Sequence, residues 1–313
     1  MSSSRRGWSE SRVHHWLFET HRPAGLAATF GHDAATLARD LKRPVLCIDQ
    51  CIEGVHFERG TSATLAGRKA ASRALSDLAA SAAIPRALLF SASFAPTTEE
   101  RWIRAVIRAV AKRARDFGAE LVGGDLACAN GPCVLSVAAL GELGGKAAAP
   151  ARDQVKPGDV ILLTGALGGS RLGRHLRIKP RIAAGRWLWR NGARAMTDLS
   201  DGLARDVSRL ADRSGVAIEI EHVPIHRDAR RAAKQSGRSA LEHALYDGED
   251  HELVVALSPA RARTVFAHPR RDAPALVVIG RAMVGRGVRV PDSEGSDRRV
   301  PVDLERGWSH GRT

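Results

Sequence analysis

The sequence predicts a mixed α/β (α+β) fold in two domains, and three observations carry that prediction. Apolar runs of strand length alternate with amphipathic stretches of helical period in both halves of the chain. Between the halves lies "GGKAAAPARDQVKPGD" (144–159), rich in small residues and proline and without periodicity. The 313 residues, 44% of them hydrophobic, suffice for two cores of ordinary size. The domains are accordingly placed at 1–146 and 147–313.

In the first half, residues 9–19 read as a short amphipathic helix. "RPVLCID" (43–49) is a buried strand that "GVHF" (54–57) extends into a hairpin. "TSATLAGRKAASRALSDLAAS" (61–81) opens on Thr/Ser cap candidates and sets Leu65, Ala71, Leu75 and Leu78 on one side of a helix. "ALLFSASF" (87–94) is a strand. "TTEERWIRAVIRAVAKRARDFG" (97–118) is the clearest helix, with capping threonines, acids in its first turn, late basic residues and Gly118 as its stop. "ELVGGD" (120–125) and "PCVLSVAALGEL" (132–143) are strands. In the second half, strand "VILLTGAL" leads into a glycine-rich turn, "GALGGS" (165–170), and a helix starts after Gly202. Strand "VAIEIEHV", a helix near 227–237, strand "ELVVAL", a helix at 259–267 and strand "ALVVIG" follow.

The formal charge is +14, which favours an anionic partner such as a nucleotide or phosphorylated metabolite. Of the 48 basic residues only seven are lysine, an imbalance that coding bias also produces. Nucleic acid is disfavoured: aromatic residues make up 4% of the chain, and no reading motif or long basic tract appears. No run approaches the ~20 apolar residues of a membrane span, and "MSSSRRGWSE" has no apolar signal core. Four cysteines, Cys47, Cys51, Cys128 and Cys133, are read as reduced thiols of a cytoplasmic protein, ahead of a structural zinc site.

Aspartates at strand ends and turns are the candidate chemistry. Asp33, Asp49, Asp77, Asp125, Asp198 and Asp201 each stand among small residues. Singly, such acids are turn-formers or caps. Together they suit magnesium, which takes hard oxygen ligands, one or two carboxylates per ion, and fills its shell with water and phosphate. Other nucleotide motifs fail. "LGELGGKA" lacks the spacing of a P-loop and has Ala147 after its lysine. "HRD" (226–228) lacks the kinase asparagine, with Ala233 in its place. In "TDLSDGLARD" (197–206), Asp198, Ser200 and Asp201 are expected to face one phosphate-and-metal cluster beside a helix N-terminus. Asp206 is read as a solvated or paired bystander inside that helix.

In order, "GHDAA", "ID…EGVHF", "SDLAA", "LVGGD", "KPGD…TGALGGS", "DLSDGLARD" and "GEDHEL" resemble the thiamine-monophosphate kinase family, related to aminoimidazole ribonucleotide synthetase, over about residues 9–310. The resemblance implies direct transfer of the γ-phosphate of ATP to thiamine phosphate, with several Mg2+ ions, and leaves a monovalent cation open. It implies metal positions at Asp33, Cys47, Ile48, Asp49, Asp77, Asp125, Asp198 and Asp201. It places nucleotide contacts at Gly124, Asp125, Arg152 and Ser200, and contacts to thiamine phosphate at His56, Glu249 and Trp308. It also implies a homodimer in which the first domain's sheet pairs across subunits. No nucleophile or base is implied, because a phosphate acceptor is mostly a dianion at neutral pH.

The chain departs from the family pattern in several places. "CID" replaces "STD", losing two hydroxyls at Cys47 and Ile48. "GHD" replaces "GDD", "ALSD" replaces "NLSD" and "GGDL" replaces "GGDT". "DGEDHEL" replaces "GGEDYEL", putting a side chain, Asp247, where glycine lets backbone come close. The connection between Ser170 and "RHLRIKPR" is short. A diverged paralogue acting on another small substrate is the alternative reading.

Overall fold

The structure, a computed structural model, describes residues 8–26, 34–270 and 274–306. The candidate residues Asp33 and Trp308 lie outside the described residues. The chain divides into two compact units, Met1–Leu78 with Ile84–Gly144, and Ala79–Ala83 with Gly145–Thr313.

In the first unit, helix α1 (Glu10–Thr20) starts at Ser9, whose hydroxyl accepts from the Arg12 amide. Strand β1 (Pro44–Ile52), helix α2 (Ala63–Ala80), strand β2 (Ile84–Phe94), helix α3 (Glu100–Asp116), strand β3 (Glu120–Cys128) and strand β4 (Val134–Glu142) follow. The strands form a four-stranded sheet in the order β1-β4-β2-β3. β2 and β3 are parallel, as a strand–helix–strand crossover requires, and the other neighbours are antiparallel. α3 buries Ile103, Val106, Ile107 and Val110, the stripe its period demands. Its N-cap is Glu99 without a side-chain cap bond, in place of the expected threonines. α2 lies close to α3: a Cβ on Gly67 would stand 2.5 Å from the Val106 carbonyl oxygen. "GVHF" is a tight turn instead of a hairpin arm, because the Val55 and His56 amides both donate to the Ile52 carbonyl. Leu135, Val137 and Ala139 of β4 are buried. The other face of the sheet leaves Leu46 75% and Ile48 69% exposed.

The second unit contains strand β5 (Val160–Leu163), helix α4 (Ile182–Arg190), strand β6 (Ala195–Asp198) and helix α5 (Leu203–Ser214). It continues with strand β7 (Ala217–Ile220), helices α6 (Arg227–Ser236) and α7 (Ala240–Tyr246), strand β8 (Leu253–Leu257) and helix α8 (Pro259–Ala267). Strands β9 (Val277–Met283), β10 (Gly287–Pro291) and β11 (Arg299–Pro301) complete it. The seven strands are ordered β11-β10-β7-β9-β5-β8-β6. Only β7 and β10 pair in parallel. β5 and β8 are central and buried, which explains their unbroken apolar runs. α4 escaped the sequence reading because Gly185 and its arginines blur the apolar period; that glycine sits where a Cβ would come within 2.1 Å of the Ala79 carbonyl oxygen. His226 of "HRD" is the N-cap of α6, its ring accepting from the Asp228 amide.

No helix of the described residues is long and apolar enough to cross a membrane. All four cysteines are free thiols. Burial, then the charges of Glu53 and Cys51, pushes the Cys133 thiol up to about 12. Exposed Cys128 is therefore expected to react with a thiol reagent at pH 8 while buried Cys51 and Cys133 stay unmodified until the chain is unfolded. Peptide mass mapping after a short pulse of iodoacetamide checks this.

Candidate active site

In the first unit the expected ligands sit on opposite faces of the sheet. β1 turns Asp49 towards α2, where its Oδ1 accepts from Arg73 Nη2 at 2.9 Å. Asp77 follows Arg73 one turn along the same helix and is half-buried. Cys47, on the same side of β1 as Asp49, donates its thiol to the Ala74 carbonyl at 3.3 Å. Ile48 points to the open face. So does Asp125, which pairs in register with exposed Ser91. A groove of about 840 Å³ runs along this open face, lined by Leu46, Ile48, Leu89, Ser91, Gly124 and Asp125 among others. β3 reaches Asp125 through a bulge: the register with β2 shifts between Leu88 and Leu89. Close packing there requires Gly124, where a Cβ would stand 1.8 Å from the Phe90 carbonyl oxygen. His56 is buried, with Nδ1 accepting from the Ile52 amide at 3.0 Å, and its carbonyl accepts from the buried Lys69 ammonium.

The second unit gathers its candidates more tightly. β6 ends at buried Asp198, the chain turns through Leu199–Gly202, and α5 begins at Leu203. Gly202 holds φ 104°, and a Cβ there would stand 2.9 Å from the Leu245 carbonyl oxygen. Asp201 Oδ2 pairs with Arg209 Nη1 at 2.6 Å. Asp206, from the first turn of α5, reaches back to accept from the Asp201 amide at 3.0 Å and also meets Arg209 at 2.9 Å. It is 2% exposed, so it is a paired and buried acid, not a solvated one. Its helical face turns inward with Val207 and Leu210, and its short side chain closes the helix start. Burial, then the nearby charges of Asp201 and Asp198, pushes its carboxyl up to about 7 against the pull of the Asp201 amide and Arg209. Arg152 joins this group through β6, its Nε donating to Thr197 Oγ1 at 3.2 Å.

The segment 247–252 carries the β6–β8 pairing past the end of the strands. The Glu249 amide donates to the Ser200 carbonyl, the His251 amide to the Leu199 carbonyl, and the Leu199 amide to the Glu252 carbonyl, all within 2.9 Å. Glu249 therefore lies beside Ser200. The backbone is strained: Glu249 and His251 have φ of 59° and 50°, a region non-glycine residues rarely adopt. His251 is fully buried, with Nδ1 3.0 Å from Asp198 Oδ2 and Nε2 3.9 Å from Glu249 Oε2. Burial lowers its pKa, but the hydrogen bond to Asp198 and the nearby carboxylates of Asp198 and Glu249 win and raise it to about 9.

The same segment seals the glycine-rich turn. The Gly168 amide donates to both oxygens of buried Asp250 at 3.1 Å, and Arg174 Nη2 reaches Asp250 at 3.0 Å. The Gly169 amide donates to Asp247 Oδ2 at 3.0 Å. His243 holds Asp247 through Nδ1 at 2.8 Å and meets Ser236 through Nε2 at 2.7 Å. Glu252 accepts from Thr164 Oγ1 at 2.6 Å and pairs with Arg181. Hence "GALGGS" gives two of its amides to the protein's own carboxylates. Sequence reasoning did not single out His251, Asp250, Arg174 or Arg209, whose partners lie far away in the chain; the dense acids of "DGEDHE" were the available signal. Among the described residues no three His, Cys, Asp or Glu side chains are gathered tightly enough to hold an ion by themselves.

Two family models match: AIR synthase related protein, N-terminal domain, over residues 31–143, and its C-terminal domain over residues 134–292. A thiamine-monophosphate kinase of Rhodopirellula baltica is 36% identical over 71% of each chain. One from Aquifex aeolicus is 30% identical over 90% of this chain and 92% of its own. Among solved structures, the thiamine-monophosphate kinase of Stenotrophomonas maltophilia superposes with TM-score 0.74 at 32% identity, covering 91% of this chain and 96% of that one. AaThiL complexed with AMPPCP and TMP superposes with TM-score 0.72 at 27% identity, covering 96% and 98%.

Two substitutions test the architecture. Asp250→Ala leaves Arg174 and the Gly168 amide without their buried partner, and urea denaturation is expected to show a loss of about 3–5 kcal/mol. Gly124→Ala forces apart β2 and β3 at the Phe90 carbonyl, and is expected to cost about 3 kcal/mol or to prevent folding in the same assay.

Proposed function

The chain belongs to the thiamine-monophosphate kinase family, within the AIR synthase related proteins, and from that premise we propose that it phosphorylates thiamine phosphate to thiamine diphosphate with ATP. The observation that carries this reading is the gathering of Asp198, Asp201 and Asp206 at the β6–α5 turn, where Asp206 accepts from the Asp201 amide at 3.0 Å and shares Arg209 with Asp201. Such crowding favours a bound cation, and its hard carboxylate oxygens are the donors magnesium prefers. Asp198 and Asp201 would hold Mg2+ in the second unit; in the first, Asp49 and Asp77 would act on the α2 side of the sheet and Asp125, on its open face, apart from them. Cys47 and Ile48 have no hard side-chain oxygen: the thiol is spent on the Ala74 carbonyl and the isoleucine faces outward, so their side chains leave the ligand set. Bound magnesium neutralises phosphate charge and polarises the transferring group.

The protein's own residues then bind and orient. Ser200 lies in the turn before α5 between Asp198 and Asp201, and Arg152, hydrogen-bonded to Thr197, adds positive charge next to that turn. We assign Ser200 and Arg152, with Gly124 and Asp125, to ATP, and Glu249 and His56 to thiamine phosphate. The acceptor arrives as an anion, so no side chain need remove a proton; positioning and charge cancellation suffice. We further propose a homodimer formed through the open face of the β1-β4-β2-β3 sheet, where Leu46, Ile48 and Leu89 are exposed together. Free cysteines suit the cytoplasm as the site of this activity.

Incubation of the purified chain with MgATP and thiamine phosphate is expected to yield thiamine diphosphate, detected by chromatography. Asp198→Asn should lower kcat at least about a hundredfold, and EDTA should abolish turnover until Mg2+ is restored. Absence of product from folded protein would sink the assignment. In sedimentation equilibrium, Leu46→Asp with Ile48→Asp should shift a wild-type dimer to monomer.

A further inference from the structure

We propose that His251 is a positioning residue that couples the metal-side carboxylate Asp198 to the acceptor-side carboxylate Glu249. This rests on the reading of Asp198 as a magnesium ligand and of Glu249 as an acceptor contact. Three features of the chain converge on it. First, the imidazole is enclosed, 1% exposed. Second, its two nitrogens point to different acids: Nδ1 is 3.0 Å from Asp198 Oδ2, while Nε2, buried and without a hydrogen bond, is 3.9 Å from Glu249 Oε2. Third, the backbone accepts left-handed conformations at both Glu249 and His251 to place them so, and locks the result by donating the His251 amide to Leu199, the neighbour of Asp198.

A flat, rigid ring bonded to Asp198 and facing Glu249 limits how near the two carboxylates can come. The Asp198 carboxylate is oriented because one of its oxygens meets Nδ1. Glu249 is one short movement from closing the second bond. Binding at either acid therefore changes the ring's fit to the other. Partners of this kind around a metal-binding carboxylate typically contribute ten- to a hundredfold in metal affinity.

Mn2+ binding to the full chain, followed by electron paramagnetic resonance without substrates, tests the Asp198 half; the KM for thiamine phosphate tests the Glu249 half. His251→Ala is expected to weaken Mn2+ binding about ten- to a hundredfold and to raise the KM, with a smaller change in kcat. His251→Asn is the discriminating variant. Its amide nitrogen falls near the place of Nδ1, asparagine tolerates the left-handed backbone, and it cannot reach Glu249. It should recover Mn2+ affinity to within about threefold of wild type while the KM stays raised. The inference is overturned if folded His251→Ala binds Mn2+ as wild type does, or if folded His251→Asn is no better than alanine. Failure of the kinase reading looks different: wild type and His251→Asn would bind Mn2+ alike and more tightly than His251→Ala, and none of the three would form thiamine diphosphate.

Discussion

Negative charge enclosed with little water is the constraint on which the second unit depends. Asp198, Asp206, Asp250 and Glu252 are all buried, and Asp201 and Glu249 flank them. A buried carboxylate without a partner would cost several kcal/mol, so each must be answered. Arg209 answers Asp201 and Asp206, Arg174 answers Asp250, Arg181 answers Glu252, and His251 answers Asp198. At these three positions arginine is local compensation, whatever sets its abundance in the rest of the chain.

The same constraint shapes the backbone. Segment 247–252 lies between the β6–α5 turn and the glycine-rich turn and bonds to both. Lying that close requires small residues on the facing side. A Cβ on Gly248 would stand 2.6 Å from the Ser200 carbonyl oxygen, and one on Gly168 would stand 2.6 Å from the Ala244 amide nitrogen. The strain at Glu249 and His251 is the local cost of aiming their side chains. Asp247, an apparent intruder in a glycine position, instead caps the Gly169 amide under the hold of His243.

Much of this was legible in the chain. The α3 stripe, the β5 and β8 runs, the turn after β6 and the aspartates at strand ends all follow from periodicity and local chemistry. Others were not. α4 was hidden by a glycine and arginines that dilute its period. Asp206 was legible as a paired acid but not as a buried one, because helix position says nothing about what stands opposite; the core turned its face inward and Asp201 supplied the amide. His251 was seen only as a departure from a motif, since its partner Asp198 is 53 residues away.

By itself, then, the sequence determined the alternation of strands and helices, the aperiodic stretch between the halves, the oxygen-rich chemistry of the candidate site and the family resemblance, because these depend on neighbours in the chain. The tertiary structure decided which acids share a neighbourhood. It put Asp49 and Asp125 on opposite faces of one sheet, because a strand alternates its side chains and a bulge resets the count. It also joined Asp198, His251 and Glu249 through the pairing of β6 with β8. Register, burial and the choice of counter-charge are long-range properties, and only packing settles them.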